Sequence, residues 1–277
     1  MTIDSHQHFW AYDAERYSWI NESMKAIQRD FLPSDLLPIL KKNGIDGCIA
    51  VQADQSEAET EFLLELAAKN DFIKGVVGWV DLQKSNVRER LEHFSSNKLF
   101  KGVRHIVQDE PDEYFMLRPD FQRGIAQLSA FDLAYDILVY QQQLPSAIAL
   151  VHNFPAQTFV LDHMAKPRIS KGLDPGWKLN IKELAKCPNV YCKLSGLVTE
   201  TKGFNWEKGD FVPFLDTVLE AFGADRVLFG SDWPVCLLAA SYGDVKGILD
   251  RYMEQRSWVE KDLIFGKNAI SAYQLAI

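Results

Sequence analysis

Four side chains, scattered along the sequence, are able to act together on one small electrophile. They are His6 and His8 in the opening stretch IDSHQHFW, His163 in FVLDHMAKP and Asp232 in RVLFGSDWPVC. Imidazoles exchange protons near neutral pH and ligate metal ions, and a carboxylate can take a proton from water. In a helix, residues two apart diverge; in a strand they share a face about 7 Å apart. His6 and His8 therefore serve one ion or one carbonyl oxygen only if they sit on a strand. Each residue also has an ordinary reading. The histidine pair fits two unrelated surface or core imidazoles, His163 fits a ring satisfied by a backbone carbonyl, and Asp232 fits an N-cap before a proline turn. Only their common placement by the fold would separate the two readings.

The elements that must position them follow from the hydrophobic pattern. Eight short apolar or β-branched runs fall at 2–6, 46–53, 73–82, 100–106, 133–139, 158–163, 189–196 and 226–232. Amphipathic stretches lie between them, such as PSDLLPILKKNG, EAETEFLLELAAKN, FVPFLDTVLEAFG and YGDVKGILDRYM, two of them stopped by glycine. Strand and helix alternating eight times predicts parallel strands with helical crossovers. In 277 residues this is the size of an α/β fold of the (β/α)8 TIM-barrel type, a single domain over residues 1–277. An open doubly wound sheet would show a glycine-rich loop after its first strand, where this chain has histidines and aromatics.

In a barrel, chemistry collects where the strands end. The predicted ends carry His6 and His8, Arg104 and His105, Asp162 and His163, Lys193 and Ser195, and Ser231 and Asp232. The barrel thus brings His6, His8, His163 and Asp232 to one mouth. His93 and His152 fall in helical stretches and read as structural or surface residues.

Composition narrows the partners. The chain is 47% hydrophobic, and 38 acidic against 30 basic residues leave a net charge of -8, which repels nucleic acid and anionic membranes. There is no apolar run of membrane-spanning length and no room before the first strand for a signal peptide, so a cytoplasmic location is expected. Cys48, Cys187, Cys192 and Cys236 form no Cys-x-x-Cys pair and are expected to be reduced and structural. The patterning of the outer helices does not reveal how many chains assemble.

With IDSHQHFW, FKGVRHIVQDEP, FVLDHMAKP, YCKLSGLVTE and RVLFGSDWPVC in this order, the chain resembles the amidohydrolase superfamily. Within it the resemblance is to the metal-optional lactone hydrolases, above all those of L-fuconolactone and L-rhamnonolactone. The resemblance implies a site built on His6, His8, His163 and Asp232 and a small sugar lactone as substrate. Members with two metals carry a carboxylated lysine on the fourth strand. Arg104 and His105 stand there instead, so at most one Zn²⁺, held by His6, His8, His163 and Asp232, is expected, and the resemblance implies that it is dispensable. In this reading Asp232 activates water and the three imidazoles polarise the carbonyl. Substrate contacts are expected from Trp10, Arg104, His105, Lys193 and Trp233, under covering loops at 9–33 and 198–210. The alternatives are a pyrone-dicarboxylate lactonase or a zinc-dependent decarboxylase of the same superfamily, and a sugar-binding barrel without turnover.

Overall fold

A computed structural model describes residues 1–276. Its centre is one sheet of eight parallel strands in sequential order. These are β1 (Ile3–Gln7), β2 (Gly47–Val51), β3 (Ile73–Gly78), β4 (Phe100–His105), β5 (Ala134–Ile137), β6 (Phe159–Leu161), β7 (Val190–Leu194) and β8 (Val227–Phe229). The strands are covered on both faces, which is why they read as near-continuous apolar runs.

The main crossover helices are α1 (Pro33–Lys42), α2 (Glu57–Lys69), α3 (Val87–Ser95), α4 (Pro119–Leu128), α5 (Leu144–Asn153), α6 (Pro175–Leu184) and α7 (Val212–Phe222), with α8 (Tyr242–Tyr252) following β8. Prolines in the first turns of α1, α4, α5, α6 and α7 use positions whose amide has no helical partner anyway. A large apolar layer fills the space between helices and barrel. A second, smaller core occupies the barrel interior, where Ile3, Ile49, Val51, Val77, Val160 and Leu228 meet Ala269, Ala272 and Tyr273 from the C-terminal segment. The short helix α9 (Trp258–Asp262) precedes this plug, and α10 (Asn268–Ala272) carries its two alanines. No helix among the described residues is long and apolar enough to cross a membrane. All four cysteines are free and buried, as expected.

The barrel closes between β1 and the chain just after β8. Asp232 N donates to His6 O at 2.8 Å, His8 N to Trp233 O at 2.7 Å, and Ser5 Oγ to Phe229 O at 2.6 Å. The buried Asp4 carboxylate accepts from Ser231 N at 2.9 Å, His6 N at 3.1 Å and Tyr242 OH at 3.0 Å. Burial pushes Asp4 up to about 6, against the pull of these donors. The hydrogen bonds that close the cylinder are thus made by the residues carrying the two histidines and the aspartate.

Candidate active site

Every strand but β1 stops earlier than its apolar run, and at β6 and β8 the site begins where the strand stops. The run at 158–163 is strand only to Leu161, and the run at 226–232 only to Phe229. Beyond β6 the chain turns through four consecutive left-handed residues, His163, Met164, Ala165 and Lys166, with φ between 49° and 58°. Beyond β8, Asp232 is also left-handed at φ 58°. Non-glycine residues in this region are costly and persist where surrounding structure over-determines them. The turn points His163 at Asp232, and Gly196 leaves room for it: a Cβ there would lie 2.7 Å from His163 Nδ1, and the φ of +67° also favours glycine.

The expected convergence is present. Nε2 of His6 and His8 are 3.2 Å apart, and Asp232 Oδ1 lies 3.8 Å from His6 Nε2, 3.4 Å from His8 Nε2 and 3.9 Å from His163 Nε2. For His8 and His163 a hydrogen bond on the far side of the ring sets which nitrogen carries the proton. His8 Nδ1 donates to Val51 O at 2.8 Å, so a neutral His8 presents a bare Nε2 to Asp232. His163 Nδ1 accepts from Ser195 Oγ at 2.8 Å, and the carboxylate on the other side places its proton on Nε2. His6 Nε2 accepts from Arg104 Nη1 at 3.4 Å, and His6 Nδ1 lies 3.2 Å from both the Asp162 Oδ1 acceptor and the Lys193 Nζ donor. Burial holds His6 well below the usual imidazole range and lowers His163 to about 4, although Asp162 and Asp232 pull the other way. Burial alone would raise Asp232, but the His163, His8 and His6 rings outweigh it and keep the carboxyl well below the usual carboxylate range.

Beneath these groups lies a closed ionic ladder. Arg104 Nη1 donates to Asp162 Oδ2 at 3.0 Å, and Arg104 Nη2 donates to the Gln52 carbonyl. Lys193 Nζ sits 2.9 Å from Asp162 Oδ1 and donates to Asp136 Oδ2 at 2.6 Å, and Tyr273 OH donates to the same carboxylate at 2.8 Å. Asp162 is held well below its ordinary value: burial would raise it, and Lys193, His6 and Arg104 overcome that. Burial raises Asp136 to about 6 despite Lys193.

Above the site opens a cavity of about 480 Å³ lined by His8, His163, Asp232 and Arg104 on its floor. Trp19 and Met24 come from the 9–33 loop and Thr199, Glu200 and Phe204 from the 198–210 loop, as expected of covering segments. The first loop is tied down by Arg16 and Tyr17, which both donate to the buried Glu59 of α2, at 2.9 and 2.8 Å. Other expected contacts are corrected by burial. His6 has no exposed surface and stands behind His8 and Arg104, so it does not reach the cavity. Lys193 is equally buried and engaged by Asp136 and Asp162, away from any substrate. Trp10 donates to Arg29 O at 2.8 Å and packs edge-on to Phe31 and Trp19, so Trp19 supplies the cavity's indole instead. Trp233 packs against Phe9 and Phe31. His105 lies against Phe115, 4.8 Å between centroids, and pairs with Glu110 at 2.7 Å, outside the lining.

The donor set fits one divalent ion. Ligand atoms around a tetrahedral Zn²⁺ with bonds of about 2.0 to 2.2 Å lie about 3.4 Å apart. His6 Nε2, His8 Nε2 and Asp232 Oδ1 match that spacing, and their ligand atoms all lie within 4.8 Å of one another. His6, Asp162 and His163 form a second such group.

A parallel eight-stranded barrel with imidazoles and a carboxylate gathered at the strands' C-terminal ends is the architecture of a barrel enzyme with its active site at that rim. The chain belongs to the amidohydrolase family, whose sequence pattern matches residues 3–275. It is 43% identical over 290 residues to an L-fucono-1,5-lactonase of Burkholderia multivorans, covering 99% of this chain and 96% of that one. To an L-fucono-1,5-lactonase of Burkholderia ambifaria it is 36% identical, over 99% and 95% of the two chains. A crystal structure of a Burkholderia multivorans amidohydrolase with bound zinc superposes with a TM-score of 0.96 at 42% identity, covering all of both chains.

Proposed function

We propose that this protein hydrolyses a neutral sugar lactone of the L-fucono-1,5-lactone kind to its aldonic acid. The observation that carries the reading is the Asp232 carboxylate, held ionised by His163, His8 and His6 on the floor of a cavity that Arg104 also lines. Gln108 and Arg104 line it, and Gln108 Oε1 and Arg104 Nε have no partner among the described residues, so a small side-chain turn would offer them to the hydroxyls of a polyol. Trp19, Met24, Phe204, Val235 and Leu238 offer apolar surface to the C–H side of a sugar ring.

In the proposed reaction, water placed beside Asp232 gives it a proton and attacks the lactone carbonyl carbon. The oxygen that becomes negative is met by the Arg104 guanidinium and the His163 Nε2–H, both already fixed by their own partners. As the ring C–O bond breaks, the proton passes from Asp232 to the departing ring oxygen, leaving a hydroxy acid that ionises. Zn²⁺, if bound, would supply Lewis-acid polarisation of the carbonyl, and His6, His8 and Asp232 would hold it.

The pyrone-dicarboxylate reading fits less well. The cavity sets two cations, Arg104 and Lys166, against three carboxylates, Asp109, Glu200 and Asp232. A dianion would enter an environment with surplus negative charge. A pH-indicator assay over a panel of sugar lactones tests the proposal: acid release well above the spontaneous rate for a 6-deoxy-hexonolactone is expected. Binding of lactones with no acid release would favour the sugar-binding barrel instead.

A further inference from the structure

His6 Nε2 has two suitors. Its lone pair is one corner of the three-atom set that fits a metal ion, yet it already accepts from Arg104 Nη1 at 3.4 Å. The guanidinium is not free to leave. It is buried, anchored to Asp162 Oδ2 at 3.0 Å and to the Gln52 carbonyl, and permanently charged. A divalent ion on His6, His8 and Asp232 must take the lone pair that Arg104 now holds and stand beside a fixed positive charge. The same guanidinium lines the cavity with His8, His163 and Asp232.

We propose that Arg104 is the site's built-in cation: it occupies the metal-facing nitrogen of His6, weakens zinc binding, and takes over the stabilisation of the developing oxyanion. The second half of this statement rests on the lactone-hydrolase reading; the first half does not. A permanent cation needs no loading and no deprotonated ligand set, whereas metal affinity varies with both. The fourth-strand arginine thereby makes turnover independent of metal supply.

The test replaces Arg104 by Met, which keeps the length of the side chain's stem and removes its charge, and by Gln, which keeps a neutral donor. Purified wild type, R104M and R104Q are stripped with chelator, checked for fold by near-UV circular dichroism and titrated with ZnCl₂ in a calorimeter. Zinc affinity is expected to rise by about 10- to 100-fold in both variants, the range over which neighbouring groups tune metal sites. Metal-free turnover of R104M is expected to fall at least about 100-fold, as on loss of one oxyanion donor, with part of it restored by zinc. Unchanged zinc affinity in a folded variant, or metal-free turnover of R104M within about threefold of wild type, overturns the proposal. Should neither variant fold, the arginine side-chain ¹⁵N–¹H spectrum of wild type decides: zinc should move the Arg104 signal, and a signal unmoved at zinc saturation overturns it. Because the titration contains no lactone, wild type inert towards every lactone would sink the enzymatic reading while leaving the zinc result to be judged alone.

Discussion

Two polar clusters share the barrel interior, and they differ in how completely their hydrogen bonds are used. In the lower one, Lys193, Asp136 and Asp162 sit within 2.6 to 2.9 Å of one another through the ammonium, and Tyr273 completes Asp136 from the C-terminal plug. In the upper one, the Nε2 atoms of His6, His8 and His163 and the Asp232 Oδ1 face one another at 3.2 to 3.9 Å, most of them too far apart for a direct hydrogen bond and close enough to share a water or a cation. A buried network closed by ion pairs rigidifies, here with Asp162 Oδ1 held by the Lys193 ammonium rather than by a hydrogen bond; one that opens on a cavity keeps its capacity for a ligand. The upper cluster should therefore be dispensable for folding and essential for turnover, and the lower cluster the reverse.

The largest effect expected from breaking this contrast is at Asp232. Asp232→Asn keeps the shape of the side chain but removes the base, and kcat should fall by about 10³- to 10⁴-fold. The thermal midpoint should stay within a few degrees of wild type, because the variant leaves no unpaired buried charge. Turnover within tenfold of wild type would dismiss Asp232 as the base. The mirror experiment is Lys193→Met, which leaves two buried carboxylates short of a cation and should cost about 3 to 5 kcal/mol of stability by urea denaturation. Lys193 does not touch the cavity, so a folded fraction of this variant should retain the wild-type KM; a changed KM at unchanged stability would reverse its assignment to the lower cluster.

A pH series sharpens the same comparison more gently. Asp136 is a carboxyl whose folded-state pKa, about 6, lies above its ordinary value of 3.8, because burial outweighs Lys193. Between those values the folded state binds more protons than the unfolded one, so this group's contribution to stability improves as pH falls through about 6 and levels off below about 4. Relative to Asp136→Asn, wild type should gain up to about 3 kcal/mol between pH 7 and pH 4 in parallel urea titrations. Parallel curves with no relative gain would mean that Lys193 holds Asp136 ionised throughout.

The upper cluster was largely legible in the sequence because strand periodicity and the rule that chemistry sits at strand ends place His6, His8, His163 and Asp232 without any knowledge of packing. Even there the helical twist of a closed barrel intervened: His6 points inward behind Arg104, a depth that alternation along one strand does not encode. The left-handed turn from His163 to Lys166 was not foreseen either, since none of its residues is glycine and the apolar run simply continues through it. The lower cluster was nearly invisible. Asp136 in LAYDILV is a charged residue in an apolar strand, a signal that it must be paired, but its partners at 193 and 273 are set by barrel closure and by the fold-back of the C-terminal segment. The aromatic contacts failed for a related reason. Trp233 follows Asp232 directly and Trp10 comes two residues after His8, yet loop packing decides where their indoles go: Trp10 is held by Arg29 O and Phe31 and Trp233 by Phe31, while Trp19, nine residues after Trp10, reaches the cavity.

The smallest expected effect isolates the principle. Gln108 lines the cavity, and its Oε1 is buried with no partner among the described residues. If the cavity binds a polyol, a hydroxyl completes it. Gln108→Leu should then raise KM by about 2- to 10-fold, the worth of one neutral hydrogen bond, and leave kcat unchanged, since the contact is equally present in ground and transition states. Stability should be unaffected or slightly improved, because an unsatisfied polar atom is exchanged for an apolar one. That pairing of weaker binding with undiminished stability is opposite in sign to what a saturated network gives. A Gln108→Leu variant that loses stability and keeps its KM would place Gln108 with the structural cluster below, and would mean that an orphaned acceptor in this barrel is no guide to where substrate sits.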